Sequence, residues 1–132
     1  RSDTTLNPGG VRLGTAEIYS EVEKFKEVKE SVVVGQSWDN DVRIILFIVM
    51  NTKFYLTYDL LKKIRTQIRK NASPRHVPSK IIKVKDIPRT KSGKIVELAV
   101  KNTIDGNSIK NKEVLANPEA LKQFKNLKEL IN

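Results

Sequence analysis

The stretch Ile-Pro-Arg-Thr-Lys-Ser-Gly-Lys-Ile, residues 87–95, gathers the residue types that could do chemistry in this chain. Pro88 fixes its own backbone angle and Gly93 lacks a side chain, so together they can shape a loop that holds a cation. Lys94 on such a loop could stabilise negative charge on a phosphate or a developing oxyanion. A solvated turn with surface lysines has the same composition. The residues alone leave both interpretations open.

Other reactive groups are scarce. The chain has no cysteine and one histidine, His76, which excludes disulfides, thiolate metal sites and His-rich metal sites and argues against a His-based triad. We find no phosphate-binding loop, nucleophile elbow, paired carboxylates or metal-ligand spacing, so we predict no metal site. The candidates that remain are cations near turn-forming residues. These are Arg1, Arg12, Arg69, Arg75 and Lys94.

The charge balance favours an anionic partner. Lys and Arg number 25 against 15 Asp and Glu, a net charge of +10. Nucleic acid is the usual partner of such a basic domain, but only 6% of the residues are aromatic, and no strand is rich in base-stacking side chains. Nucleotides and coenzyme A satisfy the same electrostatics.

Length and composition predict one globular domain, and the strands and helices predicted below make it an α+β domain. The 132 residues contain no apolar run near the roughly 20 residues of a membrane span, so we expect no membrane partner. The lack of cysteine fits a reducing, cytoplasmic compartment. Because the chain begins Arg1-Ser2-Asp3, without an initiator methionine, we expect a segment of a longer protein.

The elements that must position these cations are a small sheet of about three strands, flanking helices and an N-terminal hairpin. Turn residues predict the hairpin over 4–13. Apolar β-branched runs predict strands at 31–35 and 42–50, the second central, and alternation predicts an edge strand at 80–85. Trp38, in the turn between the first two strands, is interpreted as a packing lid.

Four helices complete the prediction. Thr15 is expected to cap the first, and Thr57 the helix that runs to residue 71. Another is expected from 96 to about 103, and a last one from Asn117. Their expected core-facing side chains are Ile18, Val22 and Phe25, then Leu60, Ile64 and Ile68, and finally Leu121, Phe124, Leu127 and Ile131.

Two motifs resemble one family. The segment 1–23, "RSDTTLNPGGVRLGTAEIYSEVE", is similar to the hinge and hairpin of the adenylate-forming superfamily, which contains acyl-coenzyme A synthetases, luciferases and peptide-synthetase adenylation domains. The segment 87–95 is similar to its late motif Pro-x-Thr-x-Ser-Gly-Lys. The order and separation of the motifs match the superfamily's small C-terminal domain, so the resemblance covers essentially the whole chain, 1–132.

Four stretches of the sequence resemble, in more detail, the branch of the superfamily that acts on acetoacetate. These stretches are "TLNPGGVRLGTAEIY", "ASPRHVPSKI", "SGKIVELAVK" and "NKEVLANPEAL". Synthetases for acetate and propionate usually have basic residues where this chain has Val96 and Glu97. A relative that acts on another short acid, of acetyl, propionyl or butyryl type, stays an alternative. A basic nucleic-acid-binding module is a more remote one.

The resemblance implies a ligase of two steps. ATP, with Mg²⁺, and a carboxylate would give an acyl-adenylate and pyrophosphate, and coenzyme A would then displace AMP. A large N-terminal domain, which would bind most of the nucleotide, the Mg²⁺ and the acyl group, would be the partner of this one. The small domain would swing about a hinge between the two steps, and we expect it to be inactive alone.

The resemblance also implies roles for particular residues. Lys94, on the loop 87–95, matches the lysine of the adenylation step, and Asp3, in the hinge and hairpin 1–14, matches the hinge position. Arg1 and Arg12 match arginines that contact ATP or AMP.

Three further residues match coenzyme A contacts. Gly9 and Gly10 match the hairpin beside the pantetheine tunnel, and Arg69 falls where a related synthetase has an arginine on the 3′-phosphate of coenzyme A. Arg75 is a rival for that last role, and a solvated helix face is an equal interpretation of Arg69. Arg89 and Lys91 are expected to be solvated.

Overall fold

The computed structural model describes residues 5–6, 13–38, 41–89, 97–105 and 116–124. Its strands are β1 (Thr5–Leu6), β2 (Leu13–Gly14), β3 (Val28–Trp38), β4 (Asp41–Met50) and β5 (Lys80–Lys83). Its α-helices are α1 (Ala16–Val22), α2 (Tyr58–Asn71) and α3 (Glu97–Ile104). Short 3₁₀ helices cover Pro74–His76 and Pro118–Phe124. This is the predicted α+β domain.

The N-terminal hairpin is confirmed. Strands β1 and β2 pair in antiparallel fashion, with Thr5 opposite Gly14 and Leu6 opposite Leu13. The pairing brings the two ends of the segment 7–12 next to each other. That segment itself lies outside the described residues.

The main sheet has three strands in the order β3-β4-β5. Strand β4 is central, antiparallel to β3 and parallel to β5. Because both faces of the sheet are covered, residues 44–49 of β4 are all buried, as the continuous apolar run predicts. Strand β3 begins at Val28, earlier than expected, because its ladder extends to Met50 with an irregularity before Glu30. The side chain of Trp38 lies outside the described part.

Helices cover the two faces of this sheet. Helices α1 and α2 pack on one face, against Val33, Ile44, Leu46 and Ile48. Helix α3 and the 3₁₀ helix Pro118–Phe124 supply Val100 and Phe124 to the other core, which also contains Val32, Ile45, Phe47 and Ile87. The core-facing residues predicted for the first two helices are confirmed, although Phe25 lies beyond the end of α1 and is only half-buried.

The two predicted threonine caps differ. The Thr57 hydroxyl accepts a hydrogen bond from the Leu60 amide at 3.2 Å, and this cap is confirmed. Thr15 stands at the N-cap of α1, but its hydroxyl makes no capping bond. Its backbone angles are already helical (φ −86°, ψ −14°), whereas a capping side chain normally sits on an extended backbone.

The last helix is 3₁₀ rather than α over its described length, Pro118–Phe124. Leu121 and Phe124 are buried as expected. Leu127 and Ile131 lie outside the described residues. Within the part of the chain that the structure describes, no helix is long and apolar enough to cross a membrane.

A carboxylate ties α1 to α2. Glu21 accepts a hydrogen bond from the Asn71 amide at 2.8 Å and pairs with the Lys24 ammonium at 3.0 Å. The Asn71 bond, followed by the Lys24 bond, lowers the pKa of the Glu21 carboxyl despite the cost of burial. The native state therefore favours ionised Glu21 more than the unfolded state does.

This lowered pKa predicts an acid-sensitive contact. A folded-state pKa below the unfolded value near 4.5 adds stability above that pH, and the stability is lost as pH falls through the folded value. Glu21→Gln should therefore reduce the free energy of unfolding at neutral pH and make it less sensitive to pH below 4.5. Urea titrations of both proteins across this range measure the difference. Parallel curves would contradict the assignment.

Candidate functional site

Most of the predicted site residues lie outside the described residues. These are Arg1, Asp3, Gly9, Gly10, Arg12 and Lys94. Lys91, which is expected to be solvated, also lies outside the described residues. The described residues on either side show how the Lys94 segment is attached to the domain.

The segment before Lys94 is anchored in the core. After β5, the Val84 amide donates to the Ile48 carbonyl at 2.9 Å, so the chain stays beside the central strand. Ile87 is fully buried within the core on the α3 side of the sheet, and Pro88 is buried as well. Burial at these positions means that 87–88 belong to the packed domain rather than to a solvated turn.

Arg89 corrects one prediction. It was expected to be solvated, but its guanidinium forms an ion pair with the Glu30 carboxylate, and its side chain is only 26% exposed. The Asp86 carboxylate lies 3.9 Å from the same guanidinium. Val32 and Val34 of β3 belong to the core on the α3 side of the sheet, and Glu30, two residues before Val32, contacts Arg89 there. Arg89 therefore fastens this segment to the start of β3.

Asn117 holds the same segment from the other side. Its amide oxygen accepts a hydrogen bond from the Arg89 backbone N–H at 2.8 Å. Its amide nitrogen donates to the Asp86 carboxylate at 2.8 Å and to the Ile87 carbonyl at 2.9 Å. The Ala116 N–H donates to the Arg89 carbonyl at 2.8 Å. Sequence reasoning assigned Asn117 only as a helix cap and missed these contacts.

The segment after Lys94 is anchored by α3. Ala99, Val100 and Thr103 of this helix are buried, and the helix packs on β3. The Lys101 ammonium donates to the Gly35 carbonyl of β3 at 2.8 Å and to the Asp105 carboxylate at 2.9 Å. The described residues on either side of Lys94, Arg89 before and α3 after, are thus both held on the same side of the sheet.

Two arginines lie at the C-terminal end of α2. Arg69 is exposed on the last turn of the helix, and Arg75 is exposed on the 3₁₀ helix Pro74–His76, which packs against α2. Ser73 and His76 bracket Arg75 through a 2.6 Å contact between the Ser73 hydroxyl and the imidazole Nδ1. Both guanidinium groups can bind an anionic group from solvent, so both arginines stay candidates for the contact with coenzyme A.

The described residues hold no group of three His, Cys, Asp or Glu side chains that could bind a metal ion.

A family described as the AMP-binding enzyme C-terminal domain matches residues 17–94. Among curated proteins, the acetoacetyl-coenzyme A synthetase of Rhizobium meliloti (strain 1021) is 60% identical over 98% of this chain and 20% of its own length. The acetoacetyl-CoA synthetase of Xenopus tropicalis is 49% identical over 100% of this chain, again 20% of its own length.

Solved structures of similar enzymes also match this chain. The acetoacetyl-CoA synthetase from Streptomyces lividans superposes with a TM-score of 0.83 at 38% identity, covering 95% of this chain and 19% of that protein. A Brucella canis acyl-CoA synthetase gives a TM-score of 0.70 at 26% identity over 77% of this chain and 19% of that one.

The chain spans about a fifth of the length of the relatives that it matches. The similarity extends over nearly all of it, and the family match covers more than half. The sequence resemblance to the adenylate-forming superfamily is confirmed, and the relatives named above carry the acetoacetyl-coenzyme A synthetase name. The chain belongs to the family of AMP-binding enzyme C-terminal domains.

Proposed function

We propose that this chain is the C-terminal domain, 1–132, of an AMP-forming acetoacetate–coenzyme A ligase, and that it acts together with a larger N-terminal domain. The observation that carries the proposal is the 60% identity to an acetoacetyl-coenzyme A synthetase across 98% of the chain. Relatives from vertebrates with the same name match the chain at 44–49% identity.

The reaction has two balanced steps. In the first, a carboxylate oxygen of acetoacetate attacks the α-phosphorus of ATP, and the bond to pyrophosphate breaks to leave acetoacetyl-adenylate. In the second, the thiol of coenzyme A loses its proton and attacks the acyl carbon, and AMP leaves with the electrons of the acyl–oxygen bond. Mg²⁺ would be bound with ATP, mainly by the N-terminal domain. We place the reaction in the cytoplasm.

Lys94 is the residue of this domain that acts in the first step. As the carboxylate attacks, negative charge grows on the α-phosphate oxygens, and an ammonium held beside them stabilises the transition state more than the ground state. The anchored positions on both sides, Ile87 and Arg89 before and Val100 after, support this role because they fix the described chain ends between which Lys94 lies.

The hairpin segment supplies the remaining roles. Arg1 and Arg12 contact the nucleotide, and Gly9 and Gly10 line the path of the pantetheine arm. Asp3 is the hinge about which the domain turns between the two steps, so 1–14 joins this domain to its partner. The pairing of Leu6 with Leu13 supports this role because it fixes both ends of the segment 7–12 to the domain.

Arg69 is proposed to bind the 3′-phosphate of coenzyme A. Loss of one charge-assisted contact of about 1.5 kcal/mol predicts that Arg69→Ala raises the KM for coenzyme A by about tenfold. Adenylation should be unaffected, because coenzyme A is absent from that step. Steady-state titration of coenzyme A at saturating ATP and acetoacetate measures the effect.

Lys62→Ala, on an exposed position of the same helix, is the matched control and should leave the KM unchanged. A rise in KM with Arg75→Ala and none with Arg69→Ala would assign the contact to Arg75 instead.

The proposed substrate is tested with the full-length protein that contains this domain. ATP–pyrophosphate exchange is measured with acetoacetate, acetate, propionate and butyrate in turn. The proposal expects acetoacetate to give the highest kcat/KM. A higher kcat/KM with another acid would leave the ligase proposal in place and make that acid the proposed substrate instead of acetoacetate. If none of the four acids supported ATP–pyrophosphate exchange, the ligase proposal would be wrong.

A further inference from the structure

We propose that Asn117 is a positioning residue for Lys94: by clamping residues 86–89 it fixes the point from which the Lys94 segment leaves the domain. This inference rests on the proposed role of Lys94 in adenylation. Asn117 lies 23 positions after Lys94 in the sequence and acts through the backbone that precedes that lysine, without touching substrate.

The chemistry of the amide matches its surroundings on every side. An asparagine side chain has one oxygen that accepts and two N–H groups that donate. The oxygen meets the backbone N–H of Arg89, and the nitrogen meets two acceptors, the Asp86 carboxylate and the Ile87 carbonyl. An aspartate would lose both donors and face Asp86 with a like charge, and an alanine would lose all three bonds.

Two neighbouring contacts make the clamp double-sided. The Ala116 N–H bonds to the carbonyl of Arg89 while Asn117 bonds to the N–H of Arg89, so both backbone groups of this residue are held. The Arg89 guanidinium is held independently by Glu30. Arg89 is the last described residue before the segment 90–96, so the fixed point lies five positions before Lys94.

The clamp is itself fixed to the sheet. Asn117 immediately precedes the 3₁₀ helix Pro118–Phe124, whose Phe124 is fully buried. The Phe124 ring packs edge-to-face on Phe47 of the central strand, with ring centroids 4.8 Å apart. The 3₁₀ helix therefore connects the Phe124 ring, which packs on β4, to Asn117, which is hydrogen-bonded to Arg89.

Position matters because the ammonium must meet charge that exists only in the transition state. A misplacement of about 1 Å can cost on the order of 100-fold in rate. Losing the amide frees the backbone of 86–89 on one side while Glu30 and the buried Ile87 still hold it, so we expect a partial effect. Asn117→Ala should lower the rate of adenylation by about tenfold.

The test compares Asn117→Ala, Lys94→Ala and the double variant in the full-length protein. Adenylation is followed by acetoacetate-dependent ATP–pyrophosphate exchange, and the second step by thioester formation from synthetic acetoacetyl-adenylate and coenzyme A. We expect Asn117→Ala to slow the first step about tenfold and leave the second within about twofold. The double variant should be no slower than Lys94→Ala, because Asn117 acts only through that lysine.

Thr57→Ala controls for general loss of stability, since it removes the cap of α2 on the opposite face of the sheet and should leave the ratio of the two rates unchanged. The double variant Asp86→Asn with Asn117→Asp exchanges acceptor and donor across the 2.8 Å contact, and it should regain part of the exchange rate lost in Asn117→Asp.

The outcomes separate the inference from the function on which it rests. If Lys94→Ala abolishes exchange and Asn117→Ala does not change it, the positioning role is wrong and the ligase proposal stands. Equal loss in both steps, or losses that multiply in the double variant, would also overturn the positioning role. If Lys94→Ala itself leaves exchange intact, the proposed role of Lys94 fails, and this inference fails with it.

Discussion

Lys94→Ala is expected to lower the rate of acetoacetate adenylation by about 10²–10³-fold. The loss follows from removing a full positive charge from the place where negative charge develops on the α-phosphate. Since the second step starts from an adenylate that is already formed, thioester formation from supplied acetoacetyl-adenylate should stay within about threefold of the wild-type rate. The two rates are measured separately on the full-length protein.

The control for this experiment is Lys63→Ala, an exposed lysine of α2 that should leave both rates unchanged. It matches the charge and size of the change on the face of the sheet opposite α3. If Lys94→Ala lowered both half-reactions by the same factor, a folding defect would explain the loss and the catalytic role would be wrong.

Phe47→Ala is expected to have the largest effect on stability, about 3–5 kcal/mol. Phe47 is fully buried in the central strand, and its ring packs on Phe124 at 4.8 Å between centroids. Truncation would leave a cavity and remove an aromatic pair. Because domains of this size are stable by only about 5–15 kcal/mol, the loss is a large share of the total. Urea unfolding of the 132-residue chain measures it.

Tyr58→Ala is the matched control. This aromatic side chain is 78% exposed at the start of α2, so its removal should change the free energy of unfolding by no more than about 0.5 kcal/mol. A loss below about 1 kcal/mol for Phe47→Ala would contradict the packing described for the central strand.

The sequence predicts the elements of this fold well wherever a periodic pattern exists. The apolar run at 42–50, interrupted only by Arg43, identifies the central strand, because a strand buried on both faces does not alternate apolar with polar positions. The stripe of Leu60, Ile64 and Ile68, with a threonine before it, identifies α2 and its cap. Such signals are local, so a single sequence contains them.

The contacts around the candidate site are not local. Arg89 pairs with Glu30, 59 positions away, and with Asn117, 28 positions away. No hydrophobic periodicity in the sequence predicts such a long-range pair. An arginine that follows a proline and has a lysine nearby is typical of a solvated turn. Arg89 was mispredicted for this reason, and Asn117 was understood only as a helix cap. Thr15 failed differently, because its residue type suits a cap while its backbone does not adopt the conformation.

Site residues were reached through a resemblance rather than through spacing. Residues 87–95 by themselves fit both a positioned cation and a solvated turn. The resemblance to the family motif is what indicates a catalytic role for Lys94. The structure adds the burial of Ile87 and Pro88 and the clamp on Arg89, which argue against a solvated turn at the start of this segment. The role of Lys94 is a proposal with a defined test, and the roles of Asp3 and Arg12 are proposals that follow from the same resemblance.

The most direct test of the central claim restores the cation chemically. The chain contains no cysteine, so Lys94→Cys introduces a single thiol into this domain, and aminoethylation converts it into a close analogue of lysine. Acetoacetate-dependent ATP–pyrophosphate exchange is measured on the full-length protein before and after the reaction, with wild type treated in parallel. We predict that Lys94→Cys loses exchange and that aminoethylation restores a large part of it. Wild-type exchange by unmodified Lys94→Cys, or no recovery after complete aminoethylation, would contradict the role of Lys94.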